Sequence, residues 1–359
     1  GKETTRLREG RLKVALPQGR LPAYLRLAGL GDAVFLVWED GRLVRFDTRN
    51  IERPVFAEEL DLVEGLGARV TALGMLIGKT SLICGDSTGR LRIWFRIKPD
   101  DADTPDGGKL VMGHELAPGS TAVTCVAAST RSRLLAAGYA DGRLRLFHVT
   151  SGRLLSETTT GSGGTVVSAL SVAPQDDGLL GLVGPRLAFW SVVAPHPETT
   201  LASVFGPVWY EGYNEPEQVW QSSSGTDDFE KKFGLVPLVF GTLKATLYSM
   251  LFGAPLALLA AIYSSEFLRP RTKALVKPTI EIMASLPSVV LGFLAALVFA
   301  PLVENIVPET LTAFFTIPFA MLLGGHLWQL FPTRAAVLAQ PFRLAGVLLT
   351  FPVGLLLAA

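Results

Sequence analysis

Residues 235–293 read LVPLVFGTLKATLYSMLFGAPLALLAAIYSSEFLRPRTKALVKPTIEIMASLPSVVLGF: an apolar run, a short basic turn, and a second apolar run opening on Ser285-Leu286-Pro287-Ser288. Between Gly234 and Ser265 the only charged side chain is Lys244. A run of that length with one charge reads first as a membrane helix, since roughly 20 apolar residues span the hydrocarbon layer. Outward from it the 359-residue chain divides into a polar front and an apolar back. Seven basic and four acidic residues lie from Gly234 onward, against 26 and 28 before it. A net charge of +1 offers no polyanion-binding face, and no basic helix is interleaved with aromatics, so nucleic acid is not an expected partner.

The front carries an internal repeat, which decides a fold before local patterns do. Asp40-Gly41-Arg42-Leu43-Val44-Arg45-Phe46 recurs as Thr88-Gly89-Arg90-Leu91-Arg92-Ile93-Trp94, then Asp141-Gly142-Arg143-Leu144-Arg145-Leu146-Phe147, and more weakly Gly184-Pro185-Arg186-Leu187-Ala188-Phe189-Trp190. The glycines are 48, 53 and 42 residues apart, and apolar strands begin near Val70, Val123 and Val166, 19, 19 and 18 residues ahead of the last three. Each unit reads strand, turn, strand. Asp-Gly supplies the positive backbone angles of a tight hairpin, and the alternation of long polar and apolar side chains after it predicts a half-buried strand. Four short strands per repeat of roughly 40–45 residues is the arithmetic of a β-propeller blade. The repeats resemble WD40-like blades whose signature is reduced to an aromatic at Phe46, Trp94, Phe147 and Trp190. About four blades are visible from Leu12 to Val193, so missing front blades and an open arc both stand, and a β-sandwich with coincidental hairpins is the alternative.

Nothing in the front carries catalytic spacing. His114, His148 and His196 are scattered, and Thr160-Gly161-Ser162-Gly163-Gly164 lacks the Lys-Ser/Thr that completes a phosphate-cradling loop. No metal or cofactor is expected. Cys84 and Cys125 have no metal-ligand spacing; buried thiols are the plain reading, and a disulfide stays open if the domain lies outside the cytosol.

The chain divides into three regions: a propeller domain at 1–195, an aromatic and polar linker at 196–232, and a helical membrane domain at 233–359 with spans at about 236–263, 284–303, 310–331 and 344–359. Phe205 to Trp220 offers aromatics for an interface collar, or a solvated linker, and Thr226 or Asp227 can supply the N-cap oxygen of the first membrane helix. Lys244 lies close enough to a helix start to snorkel outward, and His326 reads as a packing histidine. The short loops orient the spans: Arg269, Arg271, Lys273 and Lys277 on one side, joined by Arg334 and Arg343, while the loop with Glu304 and Glu309 has no Lys or Arg. Basic loops face the cytoplasm, which puts the propeller on the periplasmic side and requires a further helix before Gly1. Both ends of the sequence read as cut.

The second run is chemically distinctive. Pro287 near the start of a span frees a backbone carbonyl, and Ser285 and Ser288 bring hydroxyls to the break. The segment KPTIEIMASLPSVVLGF, with PLVFGTLKATLYSMLFGAPLALLAAIYSSEF before it, resembles the PstC-type permease of bacterial phosphate ABC importers. Matching positions include Gly241, Thr242, Pro255, Glu266, Lys277, Pro278, Glu281, Pro287, Ser288 and Gly292, over about residues 206–300. The resemblance is to the long form, with a large extracytoplasmic domain inserted after the first helix. It implies a MetI-like permease of the bacterial inner membrane that is not itself an enzyme, paired with a second permease subunit, a cytoplasmic ATPase dimer and a periplasmic phosphate-binding protein. The loop that docks the ATPase is expected beyond Ala359. Thr242, Ser285, Pro287 and Ser288 are the candidates for lining or shaping the transport path; Gly241, Glu281 and Gly292 are family-motif positions. A permease for another oxyanion is the near alternative, and a membrane-tethered propeller acting as scaffold or sensor the distant one.

Overall fold

The computed structural model describes residues 11, 14, 19–64, 67–160, 164–225, 229–330, 346 and 348–358. They fall into two compact units, Gly1–Met250 and Leu251–Ala359.

The first unit is a propeller-like series of antiparallel meanders. Strands β1 (Tyr24–Leu27), β2 (Ala33–Val37), β3 (Arg42–Asp47) and β4 (Val55–Asp61) form one sheet in chain order. Strands β5 (Val70–Met75), β6 (Leu82–Asp86), β7 (Leu91–Ile97) and β8 (Lys109–Leu116) form the second. The third holds β9 (Val123–Ala128), β10 (Leu134–Tyr139), β11 (Arg143–His148) and β12 (Arg153–Thr159), and the fourth only β13 (Val167–Val172), β14 (Gly178–Val183) and β15 (Arg186–Ser191). The first strands face one another from sheet to sheet: β9 packs against both β5 and β13, and Arg26 on β1 donates to the Leu73 carbonyl on β5 at 2.9 Å.

The repeated motif is the turn into the third strand of each sheet. Gly41, Gly89, Gly142 and Gly184 all have positive φ, as the hairpins require. At Gly89 a Cβ would also lie 2.5 Å from the Thr121 carbonyl oxygen, so the position excludes a side chain on two grounds.

The strands after the first three turns, β3, β7 and β11, are not half-buried, as the alternation predicts, but buried on both faces, whereas β15 alternates exposed and part-buried positions as predicted. Arg45, Arg92 and Arg145 have 0%, 2% and 9% of their surface exposed. Their guanidinium groups find partners on the outer strand of the same sheet and in loops that belong or lead to the neighbouring one. Arg45 bonds Glu58 at 2.5 Å, Asp106 at 2.6 and 3.1 Å and the Gly108 carbonyl at 2.6 Å. Arg145 bonds Glu157 at 2.6 Å and the Pro118 carbonyl at 2.7 Å. Between these polar edges, Phe35, Leu43 and Val70 pack with Leu82 and Trp94, and Ile83 and Ile93 pack with Leu135 and Phe147. The second and third sheets meet at a glycine: a Cβ on Gly85 would lie 2.7 Å from the Val123 side chain, and one on Gly138 is 2.9 Å from Val167 in the equivalent place. Cys84 and Cys125 are free thiols, and burial pushes Cys84 up to about 12.

Beyond β15 the chain forms α1 (Leu201–Phe205), capped by Thr200 with Ser203 in a reciprocal box, then the ribbon β16 (Trp220–Gln221) and β17 (Lys232–Phe233), and enters α2 (Val236–Ile262). The expected cap at Thr226 or Asp227 lies outside the described residues, as do Gly161 to Gly163, Arg334 and Arg343.

A wide turn (Tyr263–Phe267) ends α2; the second unit continues with α3 (Pro270–Ser285), α4 (Ser288–Leu294), a second wide turn (Ala295–Phe299), α5 (Ala300–Glu304), α6 (Val307–Gln329) and α7 (Phe351–Leu356). Among the described residues two helical stretches, Val236–Phe267 and Val307–Gln329, are long and apolar enough to cross a membrane. Helices α6 and α7 pack closely, Thr316 donating to the Gly354 carbonyl at 2.8 Å. The basic stretch after α2 is a 16-residue helix rather than a turn. Pro270 in its first turn suits helix initiation, and Lys273, Lys277 and Glu281 stand four apart on one face.

Candidate functional site

The sequence places its candidates on two helices and one break. On α2, the Thr242 hydroxyl donates to the Leu238 carbonyl at 2.8 Å, and Gly241 beside it has open space where a Cβ would stand. Thr242 therefore presents lone pairs outward, its proton being held within the helix.

The break is a 90° bend between α3 and the helices beginning at Ser288. Its chemistry comes from Pro287, which has no N–H and cannot continue the ladder. The Leu286 N–H shifts to the Met283 carbonyl at 3.2 Å. The Ile282 carbonyl, which a continuous helix would pair with Leu286, instead accepts the Ser285 hydroxyl at 2.6 Å. Pro287 then caps α4, its carbonyl accepting from Val290 at 2.9 Å, and Ser288 is the first residue of that helix. Ser285, Pro287 and Ser288 thus meet at one elbow, with Glu281 one turn before it and Gly292 one turn after. A Cβ at Gly292 would meet nothing within 4 Å, so nothing among the described residues makes glycine necessary there.

A second constellation, in the first unit, has no signal in the sequence. Residues 208–214 and 229–233 are tied to the sheets by side-chain contacts. Trp209 stands edge-on to Phe95 at 5.5 Å, and Asn214 exchanges two 3.0 Å bonds with the Lys98 backbone. Glu211 accepts from Ser81 at 2.5 Å and from Thr80, and pairs with Arg133. Arg133 also lies 3.7 Å from Glu230, which accepts the Thr150 hydroxyl. Lys232 sits over the rings of Phe229, Tyr210 and Tyr213 at 4.9, 5.5 and 5.5 Å and donates to Gln221 at 3.0 Å. Burial pushes Glu230 up to about 7 against the pull of Arg133, with Glu211 adding to the rise. Burial lowers Lys232, opposed by Glu230. This clasp holds the approach to α2 onto the second and third sheets.

Beside it runs a cleft of about 820 Å³ lined by Arg131, His148, Asp176, Glu198 and Glu230 among others. Burial brings His148 down to about 4, so its ring is neutral at physiological pH. Among the described residues no group of three His, Cys, Asp or Glu side chains is placed to hold a metal ion.

No protein-family profile matches the chain. Part of it is 36% identical, over 78 residues, to the probable ABC transporter permease protein YqgH of Bacillus subtilis, covering 22% of this chain and 25% of that protein. It is 32% identical over 73 residues to the phosphate transport system permease protein PstC 1 of Mycobacterium bovis and of Mycobacterium tuberculosis, covering 20% of this chain and 22% of each. The chain thus spans about a quarter of the length of the curated relatives it matches. Among solved structures, the Cps50 (Swd1) β-propeller domain of Myceliophteria thermophila aligns with a TM-score of 0.39 at 18% identity, over 47% of this chain and 50% of that one. A chain of the mitotic checkpoint complex aligns at 0.36 and 13% identity, over 52% and 57%. About a fifth of the chain is therefore similar to ABC transporter permeases, in a protein whose front is propeller-like and whose back holds span-length helices.

Proposed function

We propose that the chain is the membrane subunit of an ABC importer, a MetI-like permease that moves inorganic phosphate inward while partner subunits hydrolyse ATP. The observation that carries this reading is the similarity of a fifth of the chain to ABC permeases, a phosphate permease among them. The break supports it: an apolar helix that opens at Pro287, with Ser285 and Ser288 on either side, has a polar place at its start without a buried charge. Ser285, Pro287 and Ser288, with Thr242 on α2, shape the path. The partners are a second permease subunit, a cytoplasmic ATPase dimer and a periplasmic phosphate-binding protein. The basic residues at the start of α3 and along it favour a cytoplasmic position for that side of the bacterial inner membrane, and with it a periplasmic propeller domain.

The test is uptake of radiolabelled phosphate at low external concentration by cells that lack this gene and every other high-affinity phosphate system. Restoring the intact gene should restore uptake, and the Ser285→Ala, Ser288→Ala pair should restore less of it at equal membrane abundance. Restored transport of a different oxyanion, with phosphate unmoved, would replace phosphate as the substrate. No transport of any oxyanion by an intact, assembled protein would leave the tethered-scaffold reading standing.

A further inference from the structure

The helix α3 has a property that neither the transport reading nor the similarity to permeases uses. At 100° per residue, Leu275, Val276, Thr279, Ile280, Ile282 and Met283 occupy one half of its circumference, while Lys273, Lys277, Glu281 and Ser285 form a row along the other. Four cations, Arg269, Arg271, Lys273 and Lys277, stand at its start and along its polar side. A helix so divided is bent by 90° from the apolar helices after it, so the two do not share one axis through a bilayer. The preceding helical stretch of 32 residues, at about 1.5 Å per residue, is longer than the hydrocarbon layer and reaches an interface by its end. Leu268 and Arg269 alone separate that end from α3.

We infer that α3 lies in the plane of the membrane, its Leu275–Met283 face in the acyl boundary and its lysine row against anionic phospholipid headgroups. The inference rests on the reading of α2 as a membrane span. Charge complementarity selects the occupant: the exposed apolar face, with Leu275, Ile280, Ile282 and Met283 all more than half exposed, is bordered by cations, and Glu281 is the one carboxylate in the row. A crevice of about 300 Å³ between the turn at Tyr263–Phe267 and α3 has the same make-up, with Lys273 and Lys277 beside Leu268, Val276 and Ile280, and it takes a headgroup phosphate above an acyl chain. The Ser264 and Ser265 hydroxyls that also line it donate to the Ala261 and Ile262 carbonyls, and Lys273 gives one N–H to the Ser265 carbonyl at 3.3 Å, so Lys277 and the remaining N–H groups of Lys273 serve that phosphate. Glu281 also lines the crevice.

The test is site-directed spin labelling of the full chain in nanodiscs of phosphatidylglycerol or phosphatidylcholine, with labels at Leu275→Cys, Ile282→Cys and Lys277→Cys, a reference label at Leu258→Cys on α2, and the chain without added cysteine as background. Relaxation by oxygen should exceed relaxation by a water-soluble nickel chelate severalfold at positions 275 and 282, with the order reversed at 277. Charge reversal by Lys273→Glu with Lys277→Glu should shift the labels at 275 and 282 toward water in phosphatidylglycerol and leave them in place in phosphatidylcholine. Labels at 275 and 282 open to the chelate would put α3 in water; labels closed to both agents would put a protein partner on this face; an equal shift in both lipids would remove the headgroup contact. Each outcome overturns the inference. A label at 258 open to the chelate would instead overturn the membrane reading of α2, so the two failures are separable.

Discussion

Arg45 has no exposed surface, so its charge is sustained only by Glu58, Asp106 and the Gly108 carbonyl. Asp106 shows the consequence from the other side: burial alone would raise it, yet the bonds from Arg45 outweigh burial and hold it down at about 2. Arg45→Ala would leave two largely buried carboxylates with only Arg96 beside them, and the expected loss is about 3–5 kcal/mol of first-unit stability, read as a lower urea midpoint by tryptophan fluorescence. A carboxyl held low stabilises the fold above its unfolded value and loses that contribution as pH falls toward about 2, so the wild-type chain should weaken through this acid range. Glu230 behaves oppositely. Its folded value, raised to about 7, favours the neutral acid, so its contribution is complete below the usual carboxylate range and is lost as pH rises through about 7. Between pH 5 and 8 the clasp should weaken by the order of ~3 kcal/mol, seen as faster amide exchange at residues 229–233. Glu230→Gln should flatten that dependence; an unchanged pH profile in the variant would show that another group carries it. None of these partners is legible in the sequence, because Ser81 and Glu211 meet from 130 positions apart and no local pattern encodes such a pair.

At the level of elements, the legible part is what the backbone dictates locally. The turn glycines announce positive φ, Pro287 announces a break, and the apolar starts at Val70 and Val123 mark the innermost strands. Two elements differ from their sequence pattern, for one reason. The alternation gives the arginine-bearing strands a wet face, and the cluster of cations makes α3 read as a turn, because charge is taken as a sign of solvent. In the strands the charges are paired with carboxylates of the same sheet and with groups in the loops of its neighbour; in α3 they form one half of an amphipathic helix. The glycines of the second strands, which no local pattern singles out, set how closely the sheets approach. Gly85→Ala should cost about 1–3 kcal/mol, because the new methyl meets Val123 at 2.7 Å between two packed sheets. Val123→Ala makes room for that methyl, so the double variant should recover part of the loss relative to the sum of the single ones, as measured by urea denaturation. Strict additivity would mean that the sheets shift apart without that contact.

For the whole molecule the open question is which side of the membrane the propeller-like unit occupies, and the same chemistry that organises the fold makes this testable. The propeller is periplasmic on the proposed reading because the cations Arg269, Arg271, Lys273 and Lys277 all lie after α2, while Lys231 and Lys232 precede it. Lys232 is a weak counter-vote, since it is buried over three aromatic rings and bonded to Gln221 instead of standing free at the interface. The repeat supplies a reporter site: Asp40, in the first hairpin turn, is exposed, and its side chain bonds only locally, accepting from the Arg42 N–H at 3.2 Å. The two native thiols leave a low background, because burial raises both and carries Cys84 to about 12, which keeps little reactive thiolate at neutral pH. In intact cells with a permeabilised outer layer, Asp40→Cys should react with a membrane-impermeant maleimide about as completely as it does after lysis. Labelling that appears only after lysis would place the propeller in the cytoplasm. The cations of α3 would then face the periplasm, against the usual charge bias, and the propeller would have to be read as an intracellular docking module.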